Sequence, residues 1–252
     1  MTLRVLGVIP ARYASSRFPG KALAQIAGIS MIERVYRQAL KAEHLSELVV
    51  ATDHDLIFEH VKSFGGNVCM TANSHVSGTD RCFEALGLQE EEFDYVVNIQ
   101  GDEPFISPKQ IDFLISMLDG VEELATLAKK ITNPDQLANP NIVKVIMGSD
   151  GRAIYFSRSP LPFYRGLPSS EWITHHDYYK HIGMYAYRED VLDRITKLPV
   201  SSLEKVESLE QLRWVENGFK IRVGKTKLET IGIDTPEDLE RAVRELAKKD
   251  ED

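Results

Sequence analysis

Short apolar runs alternate with amphipathic segments along the first half of the chain. Four of the runs have the length of a strand: Val5–Ile9, Leu48–Ala51, Asn67–Met70 and Tyr95–Ile99. Between the runs, apolar residues recur at helical spacing, as in the segment Asp55–Phe64. Strands that alternate with helices predict an α/β fold with a mostly parallel central sheet flanked by helices.

Capping and stop signals predict further helices. One helix is expected over Thr79–Leu86, and another begins at Ser107, which is followed by a proline. The segment Leu203–Asn217 has the pattern of a single helix, and Gly218 is its expected stop. Thr235 is the expected N-cap of the last helix, because acidic residues follow it in the first turn.

The middle of the chain departs from this alternation. Two strand-like runs, Ile142–Met147 and Ala153–Phe156, flank a turn rich in glycine and predict a hairpin. The proline- and aromatic-rich stretch Ser159–Tyr178 is expected to be a long ordered loop or arm. We therefore expect one domain over residues 1–252, with residues 139–180 as an inserted arm that forms a dimer interface.

The dimer prediction rests on the apolar and aromatic side chains of this arm. Left uncovered on a monomer, they would form a large exposed patch, and such patches usually mark an interface. The residues of this expected patch are Phe156, Leu161, Phe163, Tyr164 and Trp172.

The composition of the chain limits the kinds of molecule that it can be expected to bind. The chain is acidic, with a formal net charge of -8, which disfavours non-specific binding to nucleic acids or to anionic membranes. The N-terminal residues lack the features of a signal peptide, and no apolar stretch is long enough to span a membrane, so we expect a cytoplasmic protein. The two cysteines, Cys69 and Cys82, lack the spacing of a zinc site.

A cluster of cations follows the first predicted strand. Arg12, Arg17, Gly20 and Lys21 lie within ten residues of each other in an acidic protein. Ligands of open α/β sheets bind outside the carboxyl ends of the strands, where such a loop could hold a triphosphate. An ordinary solvated loop is the alternative. The loop lacks the P-loop and dinucleotide-binding patterns.

Two aspartates also follow apolar runs. Asp102 lies in the sequence Gln100-Gly101-Asp102 after the fourth run, and Asp234 directly precedes the last helix. Carboxylates at one sheet edge could hold a divalent cation that arrives with phosphates. Both residues could instead be ordinary capping residues.

Six motifs, in this order, closely resemble those of the CMP-Kdo synthetase family, in which Kdo is 3-deoxy-manno-octulosonate. They extend over residues 7–241, and the ordered set is far more specific than any one motif. The motifs are Pro10-Ala11-Arg12-Tyr13-Ala14-Ser15-Ser16-Arg17-Phe18-Pro19-Gly20-Lys21, Asn98-Ile99-Gln100-Gly101-Asp102-Glu103-Pro104, Tyr155-Phe156-Ser157-Arg158, His181-Ile182-Gly183-Met184-Tyr185, Leu209-Glu210-Gln211-Leu212-Arg213 and Ile233-Asp234-Thr235-Pro236-Glu237-Asp238-Leu239.

This resemblance implies a glycosyltransferase-A-like nucleotidyltransferase fold and a reaction of CTP with Kdo to give CMP-Kdo and pyrophosphate, a step of lipopolysaccharide biosynthesis. It assigns Arg12, Arg17 and Lys21 to the triphosphate, and Asp102 and Asp234 to Mg²⁺. The resemblance also implies a homodimer, because related enzymes pair through the corresponding arm. Lys21, Arg12 and the two aspartates are the catalytic residues that it predicts.

The resemblance further assigns residues to the two substrates. Residues on the sugar side are Gln100, His181, Glu210 and Gln211, and residues on the cytidine side are Thr71, Ser77, Gly78 and Arg81. Without the resemblance, His181 would be interpreted as a histidine at the start of a strand. Glu210 and Gln211 would be ordinary residues in the middle of a helix.

The chain departs from the family pattern at two places. Ala22 follows Lys21 where many members have proline, and the segment before Asp234 lacks an expected Pro-Gly-Thr. Two alternatives remain: a CMP-sugar synthetase for 8-amino-Kdo or sialic acid, and a non-catalytic homologue that binds nucleotide.

Overall fold

The structure is a computed structural model that describes residues 3–14, 18–230 and 232–250. The chain forms two compact units. Unit 1 is Met1–Ile115 together with Thr230–Asp252, and unit 2 is Ser116–Glu229. The expectation of one nucleotidyltransferase domain over residues 1–252 stays a prediction.

The elements follow one another in three stretches of chain. The first stretch holds β1 (Val5–Ala11), β2 (Gln25–Ile26), β3 (Ile29–Ser30), α1 (Met31–Ala39), β4 (Glu47–Thr52), α2 (Asp55–Ser63), β5 (Val68–Met70), α3 (Gly78–Gly87), β6 (Tyr95–Asn98) and α4 (Pro108–Ser116). Unit 2 then holds β7 (Leu124–Lys130), α5 (Pro134–Ala138), β8 (Lys144–Met147), β9 (Ala153–Ser157), α6 (Trp172–His175), β10 (Tyr179–Arg188), α7 (Glu189–Thr196), α8 (Ser202–Glu207), α9 (Gln211–Glu216) and β11 (Ile221–Thr226). The chain returns to unit 1 in α10 (Pro236–Asp250).

Unit 1 is built on parallel strands in the order β6-β1-β4-β5. The middle strand β1 has fully buried apolar residues at Val5, Leu6, Val8 and Ile9. A strand covered on both faces needs such a continuous apolar run instead of an alternating one. The carboxyl ends of β1 and β6 therefore lie side by side, and the two predicted motif loops follow them.

Unit 2 mixes parallel and antiparallel pairing. Strand β7 pairs in parallel with β11 and antiparallel with β10, and β10 also pairs antiparallel with β8. Strands β8 and β9 form an antiparallel hairpin. The hairpin prediction is therefore confirmed, and so is the α/β fold class with a mostly parallel central sheet and flanking helices.

The prediction of one helix over Leu203–Asn217 is wrong. The segment forms α8 and α9, and Ser208 between them has a left-handed backbone with φ of 52°. Arg158 supplies the reason, because its guanidinium donates to the carbonyl oxygens of Glu207 at 2.7 Å and of Ser208 at 3.3 Å. These carbonyls would otherwise accept the hydrogen bonds of a continuous helix.

The expected exposed patch of the arm is only partly correct. Phe156 is fully buried and Trp172 is 6 % exposed, because Trp172 packs in a cluster with Ile131, Leu137 and Tyr178. Of the predicted patch, Phe163 is the residue that is strongly exposed, at 74 %. The arm thus covers most of its aromatic side chains within its own unit.

A search of the described residues for membrane-spanning helices finds none of sufficient length and hydropathy.

Candidate active site

The loop after β1 carries Lys21 into position. Gly20 adopts a φ of +69°, which glycine reaches at no steric cost, and its N–H donates to the carbonyl of Tyr13 at 2.9 Å. The ring of Tyr13 stacks on the imidazole of His54, with ring centres 4.1 Å apart. A single turn of 3-10 helix, Lys21–Leu23, then begins at Lys21. The sequence-predicted Arg17 lies outside the described residues.

Lys21 joins the two predicted aspartates. Its Nζ atom lies 2.7 Å from Asp102 Oδ2 and 3.2 Å from Asp234 Oδ1. The Lys21 side chain is largely buried, whereas the side chain of Asp234 is 46 % exposed. Three residues from three separate parts of the sequence therefore meet at one point of unit 1.

The close approach of β1 and β6 places Asp102. A Cβ atom at Gly101 would lie 2.8 Å from the carbonyl oxygen of Pro10, so only glycine fits at this point without a backbone shift. A turn follows, in which the N–H of Glu103 donates to the carbonyl of Gln100 at 3.3 Å. The tight turn directs the chain away from the sheet directly after Asp102.

The start of α10 places Asp234. The N–H groups of Asp234 and Thr235 both donate to Asp238 Oδ2, at 3.1 Å and 3.0 Å, and the hydroxyl of Thr235 accepts from the N–H of Asp238. Thr235 and Asp238 thus cap the helix, as the sequence predicts for Thr235. The N–H of Ile233 donates to the carbonyl oxygen of Asp102 at 2.9 Å, which ties the two aspartate segments together.

Two carboxylates that share one ammonium group form a donor set suited to Mg²⁺. Magnesium is usually held by one or two carboxylates, with the remaining positions filled by water and substrate phosphates. Within the described residues, no group of three or more His, Cys, Asp or Glu side chains is arranged to hold a metal ion. Asp102 and Asp234 match in number the one or two carboxylates of such a magnesium site.

A half-buried carboxylate, that of Glu103, follows Asp102 directly in the sequence. Burial, together with the negative charge of Asp102, raises the pKa of Glu103 to about 7. A hydrogen bond from the hydroxyl of Thr230, 2.6 Å from Glu103 Oε2, opposes this rise in pKa. Neither Glu103 nor Thr230 was predicted as a site residue, although Glu103 lies inside a predicted motif.

The side chain of Arg12, in the loop after β1, contacts the segment that is predicted to lie on the cytidine side. Its Nη2 atom donates to the carbonyl oxygen of Val76 at 2.7 Å. The next residue, Ser77, is the N-cap of α3 and forms a capping box with Asp80. Gly78 lies against β6, where an added Cβ would be 3.3 Å from the amide nitrogen of Asn98.

Arg81 and Thr71 lie in the interior of the same region. The Arg81 side chain is fully buried; its Nη2 pairs with Asp53 Oδ2 at 2.7 Å and its Nη1 donates to Thr71 Oγ1 at 2.5 Å. The hydroxyl of Thr71 in turn donates to the carbonyl of Thr52 at 3.1 Å. These contacts fix the positions of Arg81 and Thr71 in the region of the predicted cytidine side. Direct contact of Arg81 with the base stays a prediction.

The predicted sugar-side residues are divided between the units. Gln100 follows β6 in unit 1, whereas His181, Glu210 and Gln211 belong to unit 2. Glu210 and Gln211 are not in the middle of a helix, as predicted, but at the N-terminus of α9, directly after the break at Ser208.

The environment of His181 fixes its protonation state. The imidazole contacts the hydroxyl of Thr126 at 3.0 Å, and its ring centre lies 5.1 Å from that of Phe156. Burial lowers the pKa of His181 to about 3. The imidazole is therefore neutral near pH 7, and it can accept or donate a hydrogen bond but cannot act as a cation.

A parallel sheet with a lysine and two carboxylates beside its strand ends is the arrangement expected of a nucleotidyltransferase. A family described as cytidylyltransferase matches residues 6–223. The chain belongs to this cytidylyltransferase family.

Curated relatives with the name 3-deoxy-manno-octulosonate cytidylyltransferase match nearly the whole chain. The relative from Parabacteroides distasonis is 52 % identical and covers 98 % of this chain and 100 % of its own length. The relative from Thermodesulfovibrio yellowstonii is 48 % identical, with coverage of 93 % and 95 %.

Solved structures give the same grouping. A structure of CMP:2-keto-3-deoxy-manno-octonic acid synthetase complexed with CTP has a TM-score of 0.90 at 41 % identity and covers 98 % of this chain and 99 % of its own. A structure of 4-diphosphocytidyl-2C-methyl-D-erythritol synthase from Anaerococcus prevotii has a TM-score of 0.63 at 16 % identity, which shows a shared fold alone.

Proposed function

We propose that this protein transfers the cytidylyl group of CTP to Kdo, releasing pyrophosphate and forming CMP-Kdo. The observation that carries this proposal is the convergence of Lys21, Asp102 and Asp234 at the carboxyl ends of β1 and β6. The names of the relatives that match over nearly the full length support the choice of both substrates.

The chemistry is an in-line displacement at phosphorus. The anomeric hydroxyl oxygen of the sugar forms a bond to the α-phosphorus of CTP, and the bond from that phosphorus to the bridging oxygen breaks. The hydroxyl proton passes to solvent water, and pyrophosphate leaves with the electron pair of the broken bond. Negative charge grows on the α-phosphate and the leaving group, and Lys21, with Arg12 and Arg17, would offset this charge.

We propose Mg²⁺ as the cofactor, held by Asp102 and Asp234. When bound, the ion would neutralise phosphate charge and polarise the reacting oxygens. Asp102→Asn keeps nearly the same shape but removes one negative charge from the pair. Steady-state kinetics at varied Mg²⁺ should show turnover lowered by orders of magnitude with an unchanged unfolding midpoint. Near-normal turnover of this variant would refute the assignment.

On the sugar side we propose Gln100, His181, Glu210 and Gln211. The neutral imidazole of His181 suits a hydrogen bond to a sugar hydroxyl better than an ion pair with the sugar carboxylate. On the cytidine side we propose Thr71, Ser77, Gly78 and Arg81. His181→Ala should raise KM for the sugar more than KM for CTP, and equal rises in both would argue against the assignment.

Pyrophosphate release tests the choice of substrates. Each of the four ribonucleoside triphosphates is combined with Kdo, 8-amino-Kdo or sialic acid. We expect the highest kcat/KM with CTP and Kdo. A higher value with 8-amino-Kdo or sialic acid would replace Kdo by that sugar, and no turnover with any pair would favour a non-catalytic nucleotide-binding role.

The wider setting follows from the substrates. We propose that the product serves lipopolysaccharide biosynthesis, and that the reaction takes place in the cytoplasm, where CTP is available. Activity recovered mainly in a membrane fraction after cell lysis would contradict this location. We propose no macromolecular partner other than a second copy of the chain.

A further inference from the structure

A short hydrogen bond links the segments that carry the two aspartates. The hydroxyl of Thr230 donates to Glu103 Oε2 at 2.6 Å, the length of a bond from a hydroxyl to a carboxylate. Thr230 lies four residues before Asp234, and Glu103 directly follows Asp102. The bond therefore joins the residue that follows Asp102 to the segment that leads into Asp234.

The two carboxylates need such a link. They come from segments more than a hundred residues apart, yet both reach the single Nζ atom of Lys21. Two like charges at this spacing repel each other, so the surrounding chain must hold them together when Lys21 turns toward a phosphate. A separation that drifted by 1 Å would spoil a shared cation site.

The backbone supplies one point of attachment. The N–H of Ile233 donates to the carbonyl oxygen of Asp102 at 2.9 Å. The Ile233 side chain is fully buried against Ile26, Met31 and Ala242, which anchors this point in the core of unit 1. This backbone bond fixes one contact between the two segments.

Thr230 supplies a second point of attachment. Ile233 pairs with Asp102 and Thr230 pairs with Glu103, so the two segments run in opposite directions past each other. Two attachments three residues apart define both the position and the direction of the chain that enters Asp234. The Thr230 bond is the one that depends on a side chain and can be removed without touching Lys21 or either aspartate.

We propose that Thr230 is a positioning residue whose bond to Glu103 holds Asp234 against Asp102 so that the pair binds one divalent cation together with the nucleotide. The proposal rests on the proposed cytidylyl transfer, because it assigns the cation to that reaction. Outer-shell partners of metal ligands typically contribute 10- to 100-fold in metal affinity or activity.

The test compares Thr230→Val, which keeps the shape but removes the hydroxyl, with Thr230→Ser, which keeps the hydroxyl. Thr174→Val is the matched control, because Thr174 is exposed in unit 2 and its hydroxyl bonds only locally, to the carbonyl of Glu171. Thr230→Ala repeats the hydroxyl loss with more room for water, in case the valine variant does not fold.

Two measurements are made on each variant: Mn²⁺ affinity by titration in the presence of a non-hydrolysable CTP analogue, and kcat and KM for CTP. We expect Thr230→Val to weaken Mn²⁺ binding and to lower kcat by about tenfold each, with KM for CTP within about twofold of the original. Thr230→Ser and Thr174→Val should match the original protein in both measurements.

Unchanged Mn²⁺ affinity in both hydroxyl-free variants would overturn the proposal. So would an equal loss in Thr230→Ser, which would indicate packing instead of positioning. The Mn²⁺ titration contains no sugar, so a failure of Kdo as the substrate would leave its result intact. The two failures are therefore distinguishable.

Discussion

At the scale of single residues, Lys21 has two different sets of partners available. Its ammonium group pairs with Asp102 and Asp234 in the structure, and phosphate oxygens of a bound nucleotide would compete for the same group. Under the proposed assignment, Arg12 and Arg17 would still hold a triphosphate in the absence of Lys21. A third cation in the same loop is most useful where charge grows during the reaction.

We therefore predict that Lys21→Ala harms catalysis more than substrate binding. Losing one charge-assisted contact in the transition state should remove roughly 2–4 kcal/mol of stabilisation, about 10² to 10³ in kcat. Steady-state kinetics with varied CTP measure this effect. A hundredfold rise in KM for CTP with kcat within about twofold would show that Lys21 acts as an ordinary phosphate clamp.

His181 gives a prediction on pH. Its pKa is lowered by burial from 6.5 to about 3, so between these values the unfolded chain binds a proton that the folded protein does not. The free energy of unfolding should therefore fall as the pH decreases below 6.5. For this half-buried imidazole we expect a loss of about 1–2 kcal/mol between pH 8 and pH 5.

Urea unfolding at a series of pH values checks this prediction. His181→Gln should reduce the loss of stability at acidic pH, whereas His175→Gln, at an exposed position, should leave it unchanged. The prediction would be wrong if the original protein and His181→Gln lost equal stability over the same pH range.

The sequence allowed Lys21, Asp102 and Asp234 to be predicted because each follows an apolar run or lies in a motif at a strand end. It did not indicate Thr230 or Glu103 as a pair. Their bond depends on how two distant segments pass each other, and a single threonine in a loop has many ordinary roles. Such a contact has no local signal in the sequence.

At the scale of elements, the close approach of the neighbouring strand ends of β1 and β6 determines the position of Asp102. The backbone after β6 passes so close to β1 that a Cβ at Gly101 would meet the carbonyl oxygen of Pro10 at 2.8 Å. Both partners are backbone, so neither can turn away as a flexible side chain would. The tight fit couples the geometry of the sheet to the position of Asp102, the proposed magnesium ligand.

We predict that Gly101→Ala lowers both stability and turnover. Overpacking at such a site should cost about 1–3 kcal/mol, and the shift that relieves it would displace Asp102. Gly87→Ala is the matched control, because Gly87 ends α3 with open space around it and alanine favours a helix. Urea unfolding and kcat are measured for both; equal behaviour of the two variants would contradict the prediction.

Sequence patterns predicted some of the strands and helices correctly and failed for others. Strands β1, β4 and β6 were predicted because they are buried on both faces and read as continuous apolar runs, and β5 was predicted from its apolar run although it is only partly buried. For β10, the sequence indicated only a strand start at His181, and a shift of register between Ile182 and Tyr185 interrupts the strand after that point. The helix over residues 203–217 was predicted as continuous because the break at Ser208 depends on Arg158, 50 residues earlier in the sequence.

At the scale of the whole molecule, the net charge is negative, whereas the loop after β1 is rich in positive charge. The chain carries a net charge of -8, yet its proposed substrates are both anions. The cations that meet the triphosphate must therefore act locally, and the long-range field opposes the approach of the substrates. Salt screens this long-range repulsion between the acidic chain and its anionic substrates. Attraction at short range would then come from the cations that lie together in one short loop.

The last prediction concerns assembly. Burial of Phe156 and Trp172 removes part of the original reason for expecting a dimer, but unit 2 still exposes Ile154 at 58 %, Phe163 at 74 % and Val206 at 82 %. Ile154 lies on β9, the last strand on the path β10-β8-β9, where a sheet can accept another strand. Exposed apolar side chains beside such a strand favour a second copy of the chain as the partner.

We predict a homodimer by light scattering at micromolar concentration, and Ile154→Glu should shift the mass toward the monomer. Leu40→Glu makes the same kind of change at an exposed position of unit 1 and should leave the mass unchanged. A monomeric mass for the original protein would refute the dimer, and a dimer that persists in Ile154→Glu would exclude β9 from its interface.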